Sequence, residues 1–217
     1  MFEIITNNLD LWWAALSGTL LLFFGGALIA LVLGFLVGAM RVSPVPIARI
    51  VGTAYVETVR NTPLTLVFFV FAFVVPVLLP IGRTGYTTLA VWALGVYTAT
   101  YVAEVLRSGI NTVPVGQAEA ARAIGLPFHQ VMGLVVLPQA ARAVVPPMMS
   151  VLIALLKNTT VAAGFSVLNL GSIRNYLSER SENAMLVLVW VALFFVALVM
   201  LLSWAQHALE RRWKVSR

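Results

Sequence analysis

Long uncharged runs separated by short charged segments dominate the pattern of this chain. The first run, from Leu11 to Met40, contains no charged residue and is ample for one membrane span, which needs about 20 apolar residues. Further apolar runs cover approximately 47–79, 86–107, 131–167 and 185–208. The pattern therefore predicts an all-α integral membrane protein with five transmembrane helices.

Two of these runs depart from a simple span. Pro63 interrupts the second run, so we expect a break in its helix there. In the fourth run, Arg142 and Lys157 leave an uncharged segment too short to cross lipid. Three prolines in the same run argue against a regular helix: Pro138, Pro146 and Pro147. Irregular backbone at membrane depth requires surrounding protein or water, so we expect this run at the centre of an assembly.

Small residues recur at every fourth position of the first run: Gly26, Ala30, Gly34 and Gly38. This spacing lets the backbone of another helix approach closely. The neighbouring helix belongs either to a second chain or to this one, and we favour packing within this chain.

Composition supports the membrane class. Of 217 residues, 61% are hydrophobic and only 10% are charged, whereas soluble domains carry about 25% charged residues. The net charge of +6 does not indicate a nucleic-acid-binding protein, because no basic patch is interleaved with aromatic residues.

The distribution of basic residues predicts the orientation, because cytoplasmic loops are enriched in Lys and Arg. If the N-terminus is outside, the outer segments hold only Arg83, Arg174 and Arg180. The inner segments then hold the larger set: Arg41, Arg49, Arg107, Arg122, Arg142, Arg211, Arg212, Lys214 and Arg217. We therefore expect the N-terminus outside and the C-terminus inside, with a basic cytoplasmic tail over residues 209–217.

Several kinds of chemistry are disfavoured. Neither lysine follows a glycine, so no Walker sequence for ATP is present. The chain has no cysteine, and His129 and His207 lack companions at ligand spacing, so we expect no metal site. No nucleophile–base pair is visible either. We expect no cofactor in this chain and no enzymatic activity of its own.

One polar stretch, Gly116–Pro138, interrupts the apolar pattern. It contains Glu119-Ala120-Ala121, then Gly125 after three residues, then Val-Val-Leu-Pro after nine more. Alanine and glutamate favour helix, and Gly125 followed by Pro127 ends it. We therefore predict a short amphipathic helix within residues 114–126, between the third and fourth spans. The predicted orientation places it in the cytoplasm.

This motif resembles the cytoplasmic loop of ABC-importer permease subunits, with valine in place of isoleucine at position 135. Three further blocks resemble the polar amino-acid permease family: Arg60–Leu64, Tyr101–Ile110 and Lys157–Thr160. The resemblance extends from roughly Gly18 to Ala208, and several phrases look closest to glutamate-uptake permeases of actinobacteria. It implies one permease domain over residues 1–217, with a membrane core of about 15–208, in a bacterial cell membrane.

The resemblance also implies roles for residues. The short helix would dock in a groove of an ATPase and couple its movements to the membrane helices. The residues of this coupling site would be Glu119, Ala120, Ala121, Gly125 and Leu126, with Ala123 as a further small contact. Glu119 would be a charged anchor, and Gly125 would give a turn without a side chain. The alternative is an ordinary surface helix with an acidic residue that favours its dipole.

Polar residues within apolar runs are candidates for the substrate path, because ionisable groups in membrane helices are frequently functional. They are Asn61, Thr62, Glu104, Lys157, Asn158, Thr159 and Thr160. Lys157, Asn158 and Thr159 could bind a substrate carboxylate, and Glu104 an ammonium group. Alternatively, Glu104 pairs with Arg107, and Lys157 extends to the membrane interface or neutralises a carboxylate of a partner subunit.

The implied function is import of a polar amino acid, with glutamate, glutamine or aspartate as candidates. The implied partners are an ATPase dimer that binds ATP-Mg, a second permease that is identical or homologous, an extracellular or periplasmic amino-acid-binding protein, and the lipid bilayer. Two alternatives from other classes remain: a self-sufficient ion-coupled carrier or channel, and a membrane-embedded enzyme, for which no catalytic pair is found.

Overall fold

The computed structural model describes residues 2–79 and 84–213, without the side chains of Arg212 and Trp213. Two parts of the sequence predictions lie outside the described residues. They are Arg83 in an outer loop and the end of the basic tail, with Lys214 and Arg217. The helices in chain order are α1 (Glu3–Thr6), α2 (Leu9–Val42), α3 (Pro46–Arg60), α4 (Leu64–Leu78), α5 (Tyr86–Asn111), α6 (Val115–Ala123), α7 (Phe128–Phe165), α8 (Ile173–Glu179) and α9 (Ala184–Trp213).

Membrane-spanning length is reached by α2, α5, α7 and α9, each of which is apolar enough to cross a bilayer. Helices α3 and α4 form a bent pair, and counted as one element they make the fifth span. The predicted all-α class is confirmed, and the five predicted apolar runs correspond to these five elements.

The break predicted at Pro63 is a sharp corner. Helices α3 and α4 meet at 102°, so the second run does not continue in one direction as a slightly kinked span would. Proline lacks an N–H donor and disfavours helical geometry in the residue before it. Helix α3 has 15 residues, fewer than the about 20 needed to cross a bilayer upright.

The expectation that Pro138, Pro146 and Pro147 prevent a regular helix is wrong at these three residues. Residues Leu137–Asn158 form one continuous α-helical segment that contains Pro146 and Pro147. A membrane helix tolerates such prolines because neighbouring helices pack against the weakened turn. Val144 and Met148, which lie near the prolines, are buried in this packing. The irregular parts of α7 lie instead at its two ends, as a π-helical segment, Val131–Val136, and a 3₁₀ segment, Thr159–Phe165.

The small residues of α2 pack against α5 of the same chain, as favoured from the sequence. A Cβ atom at Gly26 would lie 3.2 Å from the Cβ of Leu94, and one at Gly38 would lie 3.0 Å from a methyl group of Leu106. Helix α5 contributes Gly95, where a Cβ would approach Ile29 to 2.5 Å. The two helices therefore meet almost backbone to backbone along their length.

Gly34 gives a test of this contact. Its Cβ would lie 2.4 Å from the Cβ of Val102 and 2.9 Å from the carbonyl oxygen of Ala99. Gly34→Ala should therefore separate α2 from α5 and cost about 1–3 kcal/mol, as overpacking does. The measurement is thermal unfolding of the purified chain in mild detergent. Gly133→Ala is the control, since a Cβ there meets nothing within 4 Å; equal melting temperatures for both variants would contradict the close packing.

The end of the bundle opposite α6 is built around a buried asparagine. Asn169 is 0% exposed and its side-chain amide donates to the carbonyl of Thr159 at 3.4 Å, while its oxygen accepts from the N–H of Gly171 at 2.6 Å. The N–H of Leu170 donates to the hydroxyl of Thr19 in α2 at 2.9 Å. The segment between α7 and α9 thus contains α8 and is fixed to the bundle.

Candidate coupling helix and intramembrane cavity

Helix α6 is a separate short helix between two membrane helices. It spans Val115–Ala123, within the predicted range of 114–126, and Pro114 precedes it. Proline is favoured at helix starts because its missing N–H needs no partner there. The structure therefore places the Glu-Ala-Ala motif on a helix, where the sequence predicts it.

The end of α6 is a Schellman motif, in which two backbone N–H groups after the helix donate to carbonyls of its last turn. The N–H of Gly125 donates to the carbonyl of Arg122 at 2.9 Å, and that of Leu126 donates to the carbonyl of Ala121 at 3.2 Å. Gly125 has φ +87°, a left-handed conformation that glycine adopts without a Cβ penalty. The motif turns the chain directly into α7.

An apolar cluster holds α6 against the bundle. Ala121 is buried and packs with Val131 and Val136 of α7, and Leu126 from the Schellman turn lies against the same cluster. Ile110, at the end of α5, completes the contact. Of the predicted coupling residues, Ala121 and Leu126 therefore anchor the helix to the membrane helices.

The opposite side of α6 is exposed. Glu119, Ala120 and Ala123 face outward, and Glu119 forms no ion pair with any described residue. Two large apolar side chains beside them are also uncovered, Val115 at 72% and Ile124 at 79% exposure. A carboxylate surrounded by small and apolar side chains is suited to contact with another protein.

Glu104 lies between two arginines near the α6 end of the bundle. One of its oxygens accepts from the guanidinium of Arg41 in α2, and the other accepts from that of Arg107 at 2.5 Å. The Arg41 side chain is 10% exposed and that of Glu104 is 27% exposed. The structure shows the Arg107 pairing of the alternative interpretation and adds Arg41, which sequence spacing does not reveal.

A cavity of about 370 Å³ lies between α5 and the middle of α7. Its lining is Tyr97, Thr98, Tyr101, Ser150, Val151, Ala154, Leu155 and Asn158. Of the seven candidates for the substrate path, the structure brings only Asn158 to this cavity. The tyrosines and Ser150 are missed by the sequence analysis, although two tyrosines four residues apart inside an apolar span are a usable signal.

Polar groups lie in the wall of this cavity and beside it. The hydroxyl groups of Tyr97 and Tyr101 are 2.9 Å apart, and the guanidinium of Arg60 lies 5.4 Å from the centre of the Tyr101 ring. The hydroxyl of Thr98, which is 3% exposed, has no hydrogen-bond partner among the described residues. Cation, hydroxyl and amide groups in an apolar surrounding can bind a small zwitterion or anion.

The remaining path candidates do not line this cavity. Asn61 and Thr62 are at the corner between α3 and α4. The hydroxyl groups of Thr159 and Thr160 donate to backbone carbonyls within their own segment, at 2.6 and 2.8 Å. Lys157 is exposed and has no ion-pair partner within the described part of the chain.

Comparisons with known proteins agree with this architecture. The family described as binding-protein-dependent transport system inner membrane component matches residues 26–215. The glutamate transport system permease protein GluC of Corynebacterium efficiens is 42% identical over 87% of this chain and 90% of its own length. The probable glutamine ABC transporter permease protein GlnM of Bacillus subtilis is 34% identical over 97% and 96%.

A solved structure supports the fold. The protein described as an amino acid ABC transporter with histidines superposes with a TM-score of 0.90, at 24% identity, over 98% of both chains. Its likeness extends over the bent pair and α6 as well as the long helices, since nearly the whole chain is covered. The chain thus belongs to the family of inner membrane components of binding-protein-dependent transport systems and is a multi-pass permease subunit of an ABC importer.

Proposed function

We propose that this permease carries a polar amino acid into the cell, with glutamate first and glutamine or aspartate next among the substrates. The observation that carries this proposal is the 42% identity, over almost the whole of both chains, with a permease named for glutamate transport. A relative at 34% identity is named for glutamine, which supports polar amino acids as the substrate class.

The energy comes from a separate ATPase dimer that binds ATP-Mg and receives α6 in a groove. In this proposal Glu119 and Ala120 contact the ATPase, while Ala121 and Leu126 transmit its movement to the apolar cluster under α6. Gly125 keeps the turn into α7 rigid through its left-handed conformation. With α6 in the cytoplasm, the N-terminus is outside and the C-terminus inside.

The substrate passes along the cavity between α5 and α7. The Arg60 guanidinium and the hydroxyl groups of Tyr97 and Tyr101 suit a carboxylate, and Asn158 offers a further amide. The pairing of Glu104 with two arginines supports a role in holding α2 and α5 together rather than in binding an ammonium group. Lys157, exposed beside Asn158, remains a candidate for the path or for a partner's carboxylate.

A second permease, identical or homologous, faces the central part of α7. One stripe of this helix exposes Pro147, Ser150, Ala154 and Lys157, whereas the exposed positions of α9 are mostly large and apolar, such as Leu193 and Trp204. Lipid is a poor environment for the polar members of this stripe, Ser150 and Lys157. We therefore assign the stripe to the pathway or to the second permease, and α9 to lipid. A soluble amino-acid-binding protein delivers substrate from outside.

The proposal is tested by purifying the chain in mild detergent from its native membrane and identifying the co-purified proteins by mass spectrometry. The recovered complex is then reconstituted in liposomes with its binding protein, and uptake of labelled glutamate, glutamine and aspartate is measured with and without ATP. We expect a P-loop ATPase in the complex and ATP-dependent uptake. A chain that is recovered alone and moves substrate without ATP would contradict the proposal and favour a carrier.

A further inference from the structure

A second cavity, with a volume of about 350 Å³, lies between α2, α5 and α7. Its wall consists of apolar side chains, and the larger ones are Leu31, Phe35, Leu106, Ile110, Leu137 and Met148. Phe35 and Leu137 are 52% and 47% exposed, so the cavity is a groove that opens on the surface of the bundle. An apolar surface groove of a membrane protein is suited to a lipid chain or to another helix.

The length of the groove matches one leaflet of a bilayer. Leu137 and Met148 are eleven residues apart in one α-helical segment, which corresponds to about 16 Å at 1.5 Å per residue. Half of the hydrocarbon core is about 15 Å thick. Ile110, in the wall of the groove, is one residue before the end of α5 and also packs in the cluster under α6. The groove therefore extends from the membrane surface nearest α6 to about the middle of the bilayer.

The groove faces away from the polar stripe of α7. Ala141 of its wall and Ser150 of the stripe are nine residues apart, which at about 100° per residue places them on opposite sides of the helix. Leu28 and Val32 of α2, on the same side of their helix as Phe35, are exposed and continue the apolar surface. Because the stripe is assigned to the pathway or to the second permease, the groove faces lipid.

A cation lies beside the surface end of the groove. Arg142 follows Ala141, is exposed and forms no ion pair with any described residue. A Cβ at Gly109 would be 2.3 Å from a methyl group of Val144, which places this part of α7 level with the end of α5. From that level the long side chain of an arginine can extend into the headgroup region.

We propose that the groove binds one acyl chain of an anionic phospholipid from the leaflet nearest α6, with the lipid phosphate at Arg142. The inference rests on the proposed function, which assigns the opposite side of α7 to the pathway or to the second permease. The charges favour an anionic headgroup, because Arg41 and Arg107 share the one carboxylate of Glu104 and Arg142 has no carboxylate partner in the described part of the chain. Basic residues beside pockets between membrane helices are a typical site for such headgroups.

The lipid would contact the corner that carries α6. Ile110 belongs both to the wall of the groove and to the apolar cluster under α6, and Leu137 directly follows the π-helical segment. An acyl chain in the groove therefore fills the space between α2 and the part of α7 that leads to α6. Since a ligand that binds only the folded state stabilises it, the lipid should raise the melting temperature of the complex.

Native mass spectrometry tests the headgroup contact. The chain is purified in mild detergent with the proteins that accompany it, and dioleoyl phosphatidylglycerol or dioleoyl phosphatidylethanolamine is titrated into the sample. We expect one tight site for phosphatidylglycerol per permease. Arg142→Gln should weaken it by about fivefold or more, because one cation near an anionic lipid surface contributes about this much. Arg49→Gln is the matched control, since it removes the same charge from α3, where Arg49 is exposed outside the groove.

Filling the groove tests the acyl-chain contact. Ala141→Phe places a ring in the groove and should weaken the binding of both lipids by about tenfold, because several methylene groups lose their apolar contact. Ala197→Phe is the matched control, since Ala197 is exposed on α9 and does not line the groove. Phosphatidylglycerol should raise the melting temperature of the wild-type complex and of both controls more than that of either groove variant.

The outcomes separate this inference from others. Equal affinity of Arg142→Gln and Arg49→Gln for phosphatidylglycerol, or of Ala141→Phe and Ala197→Phe, would overturn the lipid site. If Ala141→Phe instead separates two permeases of the complex, the groove is a contact between subunits and the lipid inference is wrong. If the wild-type complex binds phosphatidylglycerol as expected but shows no ATP-dependent uptake of an amino acid, the proposed function fails and the lipid site stands, because its binding is measured without transport.

Discussion

Glu119→Lys should abolish ATP-driven uptake while leaving the chain inserted in the membrane. The side chain is exposed on α6 and unpaired within the described residues, so the substitution leaves the packing of Ala121 beneath the helix intact. In the proposed complex, a cation would replace the carboxylate at the contact between α6 and the ATPase. Such a reversal costs several kcal/mol, which corresponds to at least about a hundredfold weaker association.

The measurement combines co-purification of the ATPase with uptake in liposomes. Gln117→Lys is the control for the introduced lysine, because Gln117 is exposed on the same helix but points away from Glu119. The control should retain both the ATPase and transport. Full uptake by the Glu119→Lys chain would refute the coupling role of this residue.

Glu104→Ala should produce a clear loss of stability. It leaves the guanidinium of Arg41, 10% exposed, without its counter-charge between α2 and α5. Removal of one partner from a partly buried ion pair costs less than from a fully buried one, about 1–3 kcal/mol. We expect a clear fall in the melting temperature of the purified chain and loss of transport through weakened contact between these helices.

Two comparisons identify the cause of that loss. The double variant Arg41→Met/Glu104→Leu replaces the pair by apolar side chains and should regain much of the stability. Asp10→Asn breaks the Asp10–Arg180 pair, whose side chains are 64% and 43% exposed, and should have little effect because water screens it. If Glu104→Ala unfolds at the temperature of Asp10→Asn, the Arg41–Glu104 pair does not hold α2 to α5.

Local features of this fold could be predicted from the sequence. A long uncharged run predicts a span because a helix of about 20 apolar residues is long enough to cross the hydrocarbon core. Helix α2 confirms this prediction. The turn at Gly125 is equally local, since a glycine followed by Pro127 leaves few alternatives to a helix end. The existence and position of α6 therefore follow from a few neighbouring residues.

Features that depend on distant neighbours could not be predicted in this way. The helix through Pro146 and Pro147 persists because other helices pack around it, although proline alone argues for a break. Arg41 reaches Glu104 across two helices, which no spacing along the chain reveals. The cavity lined by Tyr97 and Asn158 exists only once α5 and α7 are packed together.

The π-helical segment Val131–Val136 contributes to the direction in which α6 faces relative to the rest of α7. A π segment contains one residue more than the α-helix with the same ends, and one residue of an α-helix corresponds to about 100° of rotation and 1.5 Å of rise. Removal of a single residue here should leave the long membrane helices in place. It would nevertheless turn the Schellman corner, and with it the face that carries Glu119, away from its present direction.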